Sequence, residues 1–137
     1  MKHAAHAGSC LCGSVRYRVE GDFDRVTHCH CSMCRKSHGA AFATYATVST
    51  SQLSIEDATG TLTWYRSSPT AERGFCTGCG ASLFWRDEIR EPGLVAFSLG
   101  TVDTPLGGIE IRDIFVESKA DWHPIEDAPS NKNTPVK

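Results

Sequence analysis

The chain has 137 residues, 40% of them hydrophobic, and its 14 Lys and Arg against 16 Asp and Glu leave a net charge of −2. That length suits one domain burying about two thirds of its unfolded surface, and that charge excludes the basic face on which nucleic-acid modules rely. Seven cysteines are an odd number and about 5% of the chain, below the roughly 8 to 10% of disulfide scaffolds, and no run approaches the roughly 18 apolar residues of a membrane span. Met1 to Gly8 contain Lys2, His3 and His6 without the apolar stretch of a secretory signal, so a reduced, cytoplasmic protein is expected.

Along the chain the pattern is that of short strands. Residues 1–7 read as a flexible N-terminus in which His3 and His6 have only adventitious metal affinity. Val15, Tyr17 and Val19 alternate with Arg16, Arg18 and Glu20, which predicts a half-buried strand. Residues 32–38 form the one candidate helix, running into Gly39. Further strands are expected over 42–48, 53–56, 61–66, 73–75, 82–86, 94–99 and 109–116, with Gly60, Pro69, Gly93, Gly100 and Pro105-Leu106-Gly107-Gly108 as turns. From Pro124 the composition becomes that of a solvated tail, and residues 128–137 are expected to be flexible. Closely spaced strands without a repeat argue for an all-β domain over residues 8–127.

The cysteines fall into three groups: Cys10-x-Cys12, Cys29-x-Cys31-x2-Cys34 and Cys76-x2-Cys79. Such spacings let neighbouring sulfurs reach one tetrahedral zinc without straining the backbone. Cys10, Cys12, Cys76 and Cys79 make a closed four-sulfur site in which Gly13 and Gly80 let the chain turn around the metal. Joining segments so far apart in sequence staples the N-terminal strand to the middle of the sheet, which is a structural task. A thioredoxin-like redox role for Cys76 and Cys79 is disfavoured, because that motif opens a helix and residues 80–85 read as strand.

Cys29, Cys31 and Cys34 leave a second zinc one ligand short, the usual arrangement for chemistry. The site is either open or closed by His28, His30 or His38, with His38 the better placed because it lies four residues after Cys34. Three thiolates on Zn2+ carry a net charge of −1, a poor arrangement for activating water but a good one for holding a substrate thiolate. The reaction class that suits it makes or breaks a carbon–sulfur bond, as in a thiol adding to an aldehyde. His30 and His38 are candidate proton donors to the developing alkoxide. Arg35 and Lys36 are candidate partners for a substrate carboxylate, and fit a solvated charged turn equally well.

Three blocks carry a resemblance: Gly8-Ser9-Cys10-Leu11-Cys12-Gly13-Ser14-Val15-Arg16-Tyr17; Cys29-His30-Cys31-Ser32-Met33-Cys34-Arg35-Lys36 with Gly39 and Phe42; and Arg73-Gly74-Phe75-Cys76-Thr77-Gly78-Cys79-Gly80-Ala81-Ser82-Leu83. In this order, with Asp121-Trp122-His123 and Asp127 beyond, the chain resembles the glutathione-dependent formaldehyde-activating enzymes, whose domain also occurs in centromere protein V. The resemblance implies a β-tent fold with a structural zinc on Cys10, Cys12, Cys76 and Cys79 and a functional zinc on Cys29, Cys31 and Cys34. It also implies a carbon–sulfur lyase activity on S-hydroxymethylglutathione-like adducts, with a small thiol such as glutathione and an aldehyde as partners. Two rivals stand beside it. One is a non-catalytic structural zinc module that docks a protein. The other is a methionine sulfoxide reductase, disfavoured because no cysteine follows Cys79.

Overall fold

The computed structural model describes residues 5–125. His3, Asp127 and the expected flexible tail over 128–137 lie outside them. Ten strands dominate: β1 (Ala5–Ser9), β2 (Arg16–Glu20), β3 (Arg25–Cys29), β4 (Ala43–Ser49), β5 (Leu53–Glu56), β6 (Leu62–Arg66), β7 (Glu72–Cys76), β8 (Ser82–Arg86), β9 (Leu94–Ser98) and β10 (Arg112–Ile114), with one α-helix, α1 (Ser32–His38). The protein is therefore mostly β, as expected. The strands form a three-stranded sheet, β1-β2-β5, and a seven-stranded sheet, β10-β3-β4-β9-β8-β7-β6. Pairing is antiparallel except between β10 and β3, which run parallel.

The alternation of β2 turns Tyr17 and Val19 inward and Arg16, Arg18 and Glu20 outward. Tyr17 packs edge-on to Phe84 and tilted against Phe97, which Phe23 meets from another side. Val15, Val48, Leu83 and Val95 complete this core. Gly8 of β1 lies so close to the Tyr17 ring that no Cβ fits between them, which is why a residue without a side chain stands there. The central strands of the seven-stranded sheet are buried on both faces: Ala46, Val48, Val95 and Phe97 face the main core, while Ala43, Tyr45 and Ala96 join Cys29 and Cys34 in a second cluster. That second cluster positions the site.

Three elements differ from the sequence reading. Residues 5–7, expected within a flexible N-terminus, pair with Arg18–Glu20, and His6 Nδ1 lies 2.9 Å from Thr104 Oγ1. The pairing is made by backbone groups, which composition does not reveal. Strand β3 was not expected, because its burial runs through Val26, Thr27 and Cys29 without alternation. β10, over Arg112–Ile114, is shorter at both ends than the expected 109–116, and Phe115, with a left-handed backbone at φ 56°, ends it on the C-terminal side.

Candidate functional site

The sulfurs of Cys10, Cys12, Cys76 and Cys79 all lie within 4.8 Å of one another. Two matching turns bring them there. The Gly13 amide donates to the Cys10 carbonyl and the Gly80 amide to the Cys76 carbonyl, with Gly13 and Gly80 at φ 83° and 81°, a region only glycine enters freely. The Val15 amide points at Cys10 Sγ at 3.3 Å. Ser14 Oγ sits 3.2 Å from Cys12 Sγ, 3.5 Å from Cys76 Sγ and 3.0 Å from Thr61 Oγ1. The Ser14 and Thr61 hydroxyls hold the Cys76 thiol down at about 5, so an anionic sulfur is favoured there.

Cys29, Cys31 and Cys34 form the second group, their sulfurs again within 4.8 Å of one another and without a histidine nitrogen among them. Cys29 ends β3. Cys31 caps α1, its sulfur accepting the Cys34 amide at 3.3 Å. The helix stops after His38 because Gly39 turns left-handed at φ 62° and donates to the Arg35 carbonyl. Hydrogen bonds from Cys29 and then Cys34 pull the Cys31 thiol well below its ordinary range, whereas the Cys31 and Cys34 contacts and burial push Cys29 up. Cys31 is thus the sulfur favoured as thiolate, and three sulfurs this close are a donor set that fits a soft or borderline divalent metal. Both clusters can hold a metal ion.

The histidines are placed elsewhere. His28 Nδ1 meets Thr44 Oγ1 at 2.8 Å and its ring lies on Phe42. His30 is fully buried, and its Nε2 donates to Asp113 on β10 at 2.8 Å, an ion-pair geometry tying the Cys29–Cys31 turn to the sheet. His38 Nε2 lies 3.1 Å from the Tyr45 hydroxyl. Burial and then the charge of Arg73 lower the His38 pKa, so the imidazole is neutral.

The three sulfurs of the second group line a cavity of about 520 Å3, together with Tyr45, Arg73 and Trp85. Arg25 and Arg90 line it as well, whereas Arg35 and Lys36 do not. The sequence suited Arg35 and Lys36 equally to a substrate carboxylate or to a solvated charged turn, and their absence from the lining fits the second. The sequence reading missed Tyr45 and Arg73. Arg73 is buried, donating from Nε to Ser67 Oγ at 3.1 Å, from Nη1 to the Tyr45 hydroxyl at 3.3 Å, and from both Nη atoms towards Cys34 Sγ at 3.7 Å. The available signal was a charged residue inside the buried run of β7. Among the described residues no helix is long and apolar enough to cross a membrane.

Comparison with known proteins agrees with this arrangement. The sequence profile described as glutathione-dependent formaldehyde-activating enzyme matches residues 5–118. A protein of Halomonas elongata, named as a candidate glutathione-dependent formaldehyde-activating enzyme, is 34% identical over 127 residues, covering 87% of this chain and 80% of that protein. An uncharacterised lyase of Schizosaccharomyces pombe is 29% identical over 80 residues, 58% of this chain and 56% of that one. A crystal structure of a Rhodobacter sphaeroides protein, 25% identical, superposes with a TM-score of 0.60 over 74% of this chain and 91% of its own. A profile match across most of the sheet and a relative at this identity lead to one conclusion: the chain belongs to the glutathione-dependent formaldehyde-activating enzyme family and is an enzyme of the carbon–sulfur lyase type.

Proposed function

We propose that the protein makes or breaks the carbon–sulfur bond of thiol–aldehyde adducts resembling S-hydroxymethylglutathione, using zinc on Cys29, Cys31 and Cys34 and a second, structural zinc on Cys10, Cys12, Cys76 and Cys79. The observation that carries this reading is a three-sulfur group, free of histidine nitrogen, opening into a cavity of about 520 Å3. That volume lies in the range of small-molecule sites, roughly 300 to 1,000 Å3. Zinc bound there would keep a substrate thiol deprotonated at neutral pH.

The side chains supply the rest. In the addition direction the sulfur attacks the carbonyl carbon, the carbon–sulfur bond forms, and the carbonyl electron pair moves to oxygen, which needs a proton. Tyr45 faces the cavity, and burial, reinforced by the nearby Cys34 sulfur, raises its pKa and keeps it protonated. Its oxygen accepts from Arg73 and, when His38 carries its proton on Nε2, from His38 as well. The phenol proton is then directed to the new alkoxide, and the proton released as the substrate thiol ionises is relayed through neutral His38, which takes it on its free ring nitrogen and returns the Nε2 proton to the tyrosinate. Cleavage retraces these transfers. His30, hydrogen-bonded to Asp113 and absent from the cavity wall, holds the Cys29–Cys31 backbone rather than meeting substrate. Of Arg25 and Arg90 at the cavity, Arg25 is paired with Glu91 and Asp24, so Arg90 is the better placed to meet a substrate carboxylate.

Purified protein should bind two zinc ions and accelerate exchange between glutathione, formaldehyde and their adduct, followed by exchange NMR. Two tightly held zincs with no thiol binding and no exchange would instead indicate the non-catalytic zinc module.

A further inference from the structure

Arg73 poses an electrostatic problem that the fold answers in one direction. Its guanidinium is buried, with 7% of the residue exposed, and none of the carboxylates among the described residues forms an ion pair with it. A buried cation without a counter-ion is costly. Its partners are two neutral hydroxyls, Ser67 and Tyr45, and the Cys34 sulfur, which both Nη atoms approach at 3.7 Å. The counter-ion is therefore the sulfur cluster itself.

We infer that Arg73 is the counter-charge of the three-sulfur centre, a positioning residue that lets this centre take up an anionic thiol. The inference rests on the reading of Cys29, Cys31 and Cys34 as holding a metal and a substrate thiolate. Three thiolates and one divalent metal carry a net charge of −1, and a fourth thiolate brings it to −2 inside a half-enclosed cavity. Arg73 reduces these to 0 and −1. A guanidinium spreads its charge over two donors that reach one sulfur together, which a lysine ammonium does not reproduce. Drawing electron density from Cys34 also makes the metal a stronger acceptor for the incoming sulfur. The side chain stays in place because Ser67 holds Nε from the far side, across the turn between β6 and β7.

Cobalt substitution reads this directly, since a cation beside a sulfur ligand moves its sulfur-to-cobalt charge-transfer band to shorter wavelength. The two-cobalt wild-type protein, Arg73→Met and Arg73→Lys are compared at rest and during titration with glutathione, the four-sulfur site serving as internal reference. In Arg73→Met the resting band moves to longer wavelength and the glutathione Kd rises roughly 10- to 100-fold, the range expected for losing a charged hydrogen bond. Arg73→Lys recovers part of both. A Met variant with two metals, a wild-type band and a wild-type Kd overturns the inference, and so does a Lys variant as impaired as Met. If Arg73→Met fails to fold, the Lys variant decides: its band moves part of the way, and a band at the wild-type position overturns the assignment. Wild-type protein that ignores glutathione overturns the thiol-binding reading, while the resting bands still decide the part given to Arg73.

Discussion

Cys31 and His38 lie seven residues apart, on opposite ends of α1, and their contacts separate two kinds of contribution. Cys31 is half-buried, caps the helix and lines the cavity. Cys31→Ala removes one sulfur without emptying the core; the variant is expected to remain folded, with thiol binding and turnover reduced by about 100-fold or more. Circular dichroism beside a glutathione titration checks it, and retained thiol-dependent turnover would count against the assignment. His38→Gln should keep both metals, because its ring contacts Tyr45 and not the sulfurs, while turnover falls roughly 100-fold through loss of proton supply. Loss of metal in that variant would mean instead that the imidazole is a ligand. The lowered pKa of His38, set by burial and by Arg73, also has a sign. The folded state then binds fewer protons than the unfolded chain, so His38 favours folding least at low pH. Stability from this residue is complete above about pH 6.5 and lost as the pH falls towards the depressed value. Thermal melts between pH 7.5 and 5.5 should be less steeply pH-dependent in His38→Gln.

Among the strands, β1 shows how little a side-chain pattern reveals when the backbone does the binding. It pairs with β2 from Ala5↔Glu20 to Ser9↔Arg16, and Gly8 gives the Tyr17 ring its place. Gly8→Ala pushes a methyl into that ring and should destabilise the protein by about 1 to 3 kcal/mol; a denaturant melt with unchanged midpoint would contradict the packing. β7 shows the reverse case. Its register shifts against β8 between Gly74 and Phe75, so Leu83 and Phe84 both enter the main core while Arg73 and Trp85 face the cavity. Such an irregularity re-aims side chains, and period-two alternation alone does not anticipate it. In α1, by contrast, the cap residues lie within the helix itself or next to it, and its limits are readable from sequence.

At the scale of the molecule, the four-sulfur group ties the turn after β1 to the end of β7 and so links the two sheets. With a structural zinc there, as proposed, Cys79→Ala is expected to remove it and with it on the order of 10 kcal/mol of apparent folding free energy. Unchanged melting and zinc content would refute the structural role. Short spacing explains why the sulfur groupings were legible in the chain: sulfurs two or three residues apart in a turn converge whatever surrounds them, and a glycine after each pair marks the bend. The alternation of β2 and most strand positions were legible for the same local reason. Tyr45 and Arg73 were not. Arg73 stands 39 residues from Cys34 and 28 from Tyr45, and only the order β4-β9-β8-β7 within one sheet carries it to them. Sequence alone therefore determined which neighbouring sulfurs converge to grip a metal, because that is decided within a few bonds. The meeting of the Cys10–Cys12 and Cys76–Cys79 turns was implied by the resemblance and made by the fold. Tertiary structure decided which charge faces the metal site and what shape the substrate meets, because those depend on strand pairings between distant segments that no local pattern encodes.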